Sequence, residues 1–338
     1  MSDASTPAAP AKPKNLRKVL GVMVVGVALY GAFAIYRGLD KMGAAMAMFH
    51  AWAFLAACGL AFGNYLLRFL KWEFYLARLG IRGVPKWDSF LIYLSGFVLT
   101  VTPGKVGEVF KSAVLNERFG VPVVKTAPIV IAERVTDVLG IVVLITIGSF
   151  GFQGGLLWAA IGTGLVLSLL VVIASRRLSL GIIGIIEKLP KGDKIAPKLR
   201  ISYESLAVMV EPRNLIVPTL LSVVAWLLEC LALWVILQGF GQTTPVAPCL
   251  FFYATSTLAG AIIPVPGGLG ITEGALLKQM TELGKVDENT STAAMILVRF
   301  ATLWFAVAVG FVALFLLRFR KIAPVELETR VSEPAPAP

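Results

Sequence analysis

Apolar runs of about twenty residues recur along the chain, near 19–37, 48–70, 127–151, 156–175, 215–238 and 292–318. A helix of that length spans the hydrocarbon core of a bilayer, so each run predicts a membrane-crossing helix. Two further apolar stretches, Phe90 to Thr102 and Leu250 to Val265, each meet a Pro-Gly break and resume as a more amphipathic helical piece, near 107–119 and 271–283. The first break contains Pro103, Gly104 and Gly107; the second contains Pro266, Gly267, Gly268 and Gly270. Proline removes a backbone donor and glycine loosens the helix. In hydrocarbon such breaks survive only where protein or a water-filled cavity satisfies the freed groups. Both stretches therefore predict helical hairpins that enter the membrane partway and return.

The two broken regions match each other. "TPGKVGEVF" and "VPGGLGITEGAL" share P-G-x-[VL]-G followed by glutamate, and Pro85 and Tyr93 stand over Pro245 and Tyr253 at a common offset of 160 residues. Glu108 precedes Arg134 by 26 residues, and Glu273 precedes Arg299 by the same 26. Each unit reads as a span, a broken hairpin with glutamate, and a span carrying arginine. The expected fold is an all-α integral membrane protein with about six crossing helices plus two re-entrant helical hairpins, arranged as an inverted repeat. That arrangement is shared by many secondary transporters, whose substrate site lies near the midplane at the repeat interface. The chain divides into a disordered cytoplasmic tail (1–18), a first span with its outer loop (19–46), the first repeat (47–151), a linking span with a cytoplasmic amphipathic loop (152–213), the second repeat (214–318) and a cytoplasmic tail (319–338).

Composition agrees with this solvent: 57% of the 338 residues are hydrophobic and only 15% are charged. The net charge of +11 does not point to nucleic acid, because the cations sit between apolar spans, where cytoplasmic loops and anionic lipid surfaces account for them. With the N-terminus inside and both hairpins re-entrant, 25 cations fall on inside segments and four, Arg37, Lys41, Lys278 and Lys285, outside. The positive-inside rule then places both termini in the cytoplasm, and the expected location is the bacterial inner membrane. The three cysteines are unpaired in spacing and the one histidine, His50, cannot form a His-rich site, so no metal and no cofactor are expected.

The segments "PGKVGEVFKSAVLNERFGVP", "IAERVTDVLG", "IIPVPGGLGITEGALL" and "AAMILVRFATLW" resemble the transmembrane domain of lysylphosphatidylglycerol synthases and related stand-alone flippase-like membrane proteins. The resemblance runs from about Val19 to Arg318 and implies movement of a polar-headed lipid between leaflets. It also implies that lysyl transfer is absent, since the aminoacyl-transferase domain of the full synthases finds no room here. Stand-alone relatives associated with hopanoid or glycolipid pathways leave the lipid open and suggest a lipid-biosynthetic enzyme as a partner; the oligomeric state is unknown.

Candidate chemistry follows from charge at membrane depth, which is expensive and often functional. A half-helix beginning after Gly107 or Gly270 offers unsatisfied N–H groups to a phosphate or carboxylate. Arg134 and Arg299 offer two-pronged contacts to an anionic headgroup, with Lys105 in the first break beside them. The competing reading pairs Glu108 with Arg134 and Glu273 with Arg299 as structural salt bridges. Asn64 and Arg68, one turn apart, and Asp137 widen the candidate polar interior, against snorkelling for Arg68 and local pairing with Arg134 for Asp137. Glu229 is an acid in "AWLLECLALW" with no cation nearby in sequence. No phosphate-binding loop, nucleophile elbow or HExxH motif occurs. The expected function is a lipid flippase or lipid transporter. The alternatives are a membrane-embedded lipid-modifying enzyme, or a noncatalytic lipid-binding partner of a biosynthetic enzyme.

Overall fold

The computed structural model describes residues 46–101, 108–151, 203–263 and 265–320, with residues 157, 160, 163, 164 and 201. Every regular element among them is helical. The predicted first span, most of the fourth, and the first Pro-Gly break with Lys105 lie outside the described residues.

The first half comprises α1 (Ala51–Arg78), α2 (Lys86–Ser95) prolonged by a 3-10 turn (Gly96–Leu99), α3 (Phe110–Phe119), α4 (Val123–Thr126) and α5 (Pro128–Ser149). The second comprises α6 (Pro212–Gly239), α7 (Val246–Ile262), a 3-10 turn (Pro266–Gly268), α8 (Ile271–Glu282), α9 (Glu288–Arg299), a π turn (Phe300–Trp304) and α10 (Phe305–Phe319). Among the described residues, three segments are long and apolar enough to cross a membrane: Ala51–Arg78, Arg213–Gly239 and Glu288–Phe319.

The buried residues of α1 recur every three or four positions. Ala53, Ala57 and Ala61 come first, followed by Asn64, Arg68, Lys71 and Tyr75. The alanines have no exposed surface, and small residues on one face let two membrane helices approach closely. Their partner is α6, which runs antiparallel: the N–H of His50 donates to Gly239 O at 2.9 Å, and Asn64 Nδ2 donates to Ala225 O at 2.8 Å. Fourteen residues along α1, the partner has thus moved fourteen residues back along α6. α1 also outruns its predicted end at residue 70, because Lys71, Trp72, Tyr75 and Leu76 continue the buried stripe. A lysine interrupts hydropathy there without interrupting the helix.

The first leg of each broken segment packs on the arginine-bearing span of the other half. α7 lies on α5 at Gly148, where an added Cβ would come within 2.6 Å of the Phe251 nitrogen. The α2 end lies on α10 at Gly310, where a Cβ would come within 2.7 Å of the Val98 nitrogen. Glycine at these two positions is a matter of backbone approach. The two broken segments also enter from opposite ends of the bundle. α2 starts beside the C-terminus of α10, where Arg320 Nε bonds Asp88 at 2.7 Å, whereas α7 starts beside the C-terminus of α5 at Gly148 and Gly151.

Candidate functional site

A cleft of about 80 Å³, room for several water molecules, lies between the two halves. Arg68, Glu108 and Thr100 line it from the first half; Trp226, Glu229 and Tyr253 line it from the second, with Gly267, Gly268 and Arg299 at the second break. It lies near the point where Asn64 and Ala225 meet between the long helices.

The second break is held by its own side chains. Gly267 and Gly268 adopt left-handed backbone, with φ of 62° and 68°, and Gly270 has φ of 85°. Only glycine takes such values without strain. Glu273 turns back so that one carboxylate oxygen accepts from the Gly270 N–H at 2.7 Å, while the other accepts from Arg299 Nε at 2.6 Å. Arg299 Nη2 donates to the Gly267 carbonyl at 2.8 Å. A helix start that could serve an anion is therefore engaged by an internal carboxylate, and a carbonyl freed by the break is engaged by an arginine. Just beyond Arg299 the π turn alters the normal helical ladder. There the Tyr65 hydroxyl donates to Thr302 O at 2.8 Å, bringing α1 onto the cavity wall.

In the first half, Arg134 Nη2 donates to Glu108 at 2.8 Å and lies 3.2 Å from Asp137. The two glutamate–arginine pairs suggested by the equal spacing thus both form. Asp137 gathers more than its local arginine. Arg68 Nη2 reaches it at 2.9 Å and Lys71 Nζ at 2.6 Å, while Lys71 also donates to Thr136 at 3.2 Å and Ser222 at 2.8 Å. Arg68 does not snorkel: it is 9% exposed, because an interior carboxylate replaces the water its guanidinium would otherwise seek. Glu229 accepts from the Tyr253 hydroxyl at 2.7 Å.

Lys71, Lys111 and Glu133 belong to this interior although sequence reasoning placed both lysines on cytoplasmic segments. Lys71 has no exposed surface; Lys111 is 3% exposed, bonds Glu133 at 2.6 Å and stands 4.7 Å from the Trp72 ring centroid. Removing Arg68, Lys71 and Lys111 from the inside count leaves 22 cations against four, so the asymmetry persists. Lys71 was findable in principle, since it lies three residues after Arg68 on the same helical face. The Lys111–Glu133 pair carried no such local signal. Pro103, Gly104, Lys105 and Gly107 lie outside the described residues, while Pro266 opens the second 3-10 turn. Among the described residues no cluster of three or more His, Cys, Asp or Glu side chains is placed to hold a metal ion.

Residues 18–310 match the profile of the family described as the lysylphosphatidylglycerol synthase TM region. A UPF0104 membrane protein of Methanocaldococcus jannaschii is 23% identical over 218 residues, covering 63% of this chain and 91% of the relative. A UPF0104 membrane protein of Methanothermobacter thermautotrophicus is 24% identical over 148 residues, covering 42% of this chain and 44% of the relative. The chain belongs to the lysylphosphatidylglycerol synthase TM region family, and with its apolar helices it is an integral membrane protein.

Proposed function

We propose that this member of the lysylphosphatidylglycerol synthase TM region family is a lipid transporter that moves a polar-headed, anionic lipid between leaflets. The observation that carries the reading is the polar cavity between the two halves, walled by charged side chains and by the second glycine break. A headgroup passing through it exchanges water for protein donors and acceptors while its acyl chains remain in hydrocarbon. The halves act as an inverted repeat, with six crossings and two re-entrant hairpins, and transport rocks one half against the other. The cross-packing of each first leg on the opposite half and the entry of the two legs from opposite ends support this arrangement.

The end of the bundle that bears Arg78, Lys86, Arg118, Arg213, Arg318 and Arg320 faces the cytoplasm, by the positive-inside rule. Cysteine introduced near Lys194, in a cysteine-free background, is then inaccessible to impermeant reagents in intact cells. Labelling from outside would reverse the orientation.

The direct test is reconstitution of the purified protein in vesicles with lipids of defined headgroup, followed by measurement of leaflet accessibility. The expected result is redistribution of an anionic lipid with no chemical change. A chemically altered lipid would instead assign a lipid-modifying enzyme. Absence of redistribution for every headgroup, with stable lipid binding, would favour a noncatalytic partner of a biosynthetic enzyme.

A further inference from the structure

The wall of the cleft is unevenly exposed, and the pattern locates its opening. The charged and aromatic residues that line it, Arg68, Trp226, Glu229, Tyr253 and Arg299 among them, are buried. Among the described lining residues, those that are not buried are Thr100, Thr257 and Gly267, which are half-buried, and Ala261, which is exposed. All four belong to the inner ends of the two broken segments. Thr100 follows the 3-10 turn after α2, Thr257 and Ala261 stand on the last turns of α7, and Gly267 lies in the second break. The two inner ends approach each other where a Cβ on Gly267 would lie 3.4 Å from Val101 Cγ1.

Depth decides what can reach this opening. α6 ends at Gly239 and α7 starts at Val246, so both helices run inward from the same end of the bundle. At 1.5 Å per residue, Ile262 lies roughly 24 Å along α7 from that end, and Ala225 roughly 21 Å back along α6. The hydrocarbon core of a bilayer is about 30 Å thick, so the inner end of α7 lies within it. What stands beside an opening at that depth is lipid. Directly after Ala261 come Ile262 and Ile263, 65% and 45% exposed. The surface thus passes within two residues from the rim of a polar cleft to exposed apolar side chains. A lipid has the same order of polarity: its headgroup is costly to leave in hydrocarbon, and its chains are costly to take out of it.

We infer that the gap between the inner ends of the two broken segments is a lateral slot through which a lipid in transit occupies the cleft. The headgroup lies inside, the linkage between head and chains passes Thr100 and Ala261, and an acyl chain lies on Ile262 and Ile263. The inference rests on the lipid-handling reading above and gives it a route, from the bilayer rather than from water.

Narrowing the slot tests it. Ala261 is exposed, so Ala261→Leu and Ala261→Trp add bulk at the opening without displacing a buried side chain. Leu220→Trp, at a 61% exposed position of α6, is the control. In phosphatidylglycerol vesicles, leaflet transfer is expected to fall with Ala261→Leu, to be lost with Ala261→Trp and to be unchanged with Leu220→Trp, at equal yields of monodisperse protein. A second measurement leaves the slot open. A benzophenone side chain replaces Ile262 or Leu220 in the full chain, and the vesicles carry phosphatidylglycerol and a minor fraction of diacylglycerol with the same alkyne-tailed chains. After irradiation, capture at Leu220 is expected to follow the vesicle ratio. Capture at Ile262 is expected to favour phosphatidylglycerol, because the cleft holds only a lipid that has a headgroup.

Capture at Ile262 in the vesicle ratio would overturn the slot, as would full transfer by correctly folded Ala261→Trp. Should Ala261→Trp fail to fold, Ala261→Leu and the capture ratio decide. Enrichment at Ile262 without transfer by the wild type retains the slot and removes the transport reading. Wild-type transfer with neither enrichment at Ile262 nor sensitivity to Ala261→Trp retains transport and removes the slot.

Discussion

Asp137→Asn should be the most damaging single change in this protein, abolishing or nearly abolishing the yield of monodisperse material. The carboxylate holds Arg68 at 2.9 Å, Lys71 at 2.6 Å and Arg134 at 3.2 Å, and Ser222 donates to it at 3.1 Å. Asparagine preserves the shape but withdraws the negative charge from three cations, one of them a lysine with no exposed surface. Removing one partner of a buried pair typically costs about 3–5 kcal/mol, because the remaining charge is stranded where water cannot reach it. Against a total stability of about 5–15 kcal/mol, that loss is large. The measurement is size-exclusion yield and thermal midpoint in detergent. Adding Lys71→Met should recover part of the loss, since one stranded cation is then replaced by an apolar chain of similar length. Wild-type stability of Asp137→Asn would show that the cluster does not hold the bundle together.

Arg299→Gln is expected to cause the next largest loss, about 3–5 kcal/mol, and Glu273→Gln in the same chain should restore only part of it. Arg299 makes two contacts of different kinds: an ion pair with Glu273 at 2.6 Å and a hydrogen bond to the Gly267 carbonyl at 2.8 Å. The double variant removes the stranded carboxylate but leaves the carbonyl without its arginine donor. The four-member cycle of stability and leaflet transfer separates these contributions. Complete recovery of both quantities would reduce Arg299 to neutralising Glu273. Recovery of stability with loss of transfer would instead place the Gly267 contact, and hence the geometry of the break, in the transport step.

Helical class, the long spans of α1 and α6, and the break at Pro266–Gly268 were legible because each is written in local sequence. Apolar length sets a spanning helix, and proline and glycine act on the backbone where they stand. The equal 26-residue spacing also suggested, as one of two readings, the two glutamate–arginine pairs that form, since both members of each pair lie within one half of the chain. Hydropathy was less reliable where charge is buried. It ended α1 at residue 70, whereas the helix continues to Arg78. It also placed Lys71 and Lys111 on cytoplasmic segments, because a hydropathy scale scores a lysine as though it faced water.

By itself, then, the sequence determined the solvent, the helical class, the placing of the second break and the residues able to pair across a matched spacing. Tertiary structure alone decided which charges share a carboxylate, because Asp137 meets Arg68 and Lys71 only when α1 and α5 pack, and Ser222 only when α6 joins them. It also decided that Arg134 and Arg299 turn toward the protein's own acids, and that Arg68 and Trp226, 158 residues apart, stand side by side in the wall of one cavity. The physical reason is range. Helix length and backbone breakage depend on neighbours along the chain, whereas the partner of a buried charge is whichever opposite charge the packing delivers when water is excluded.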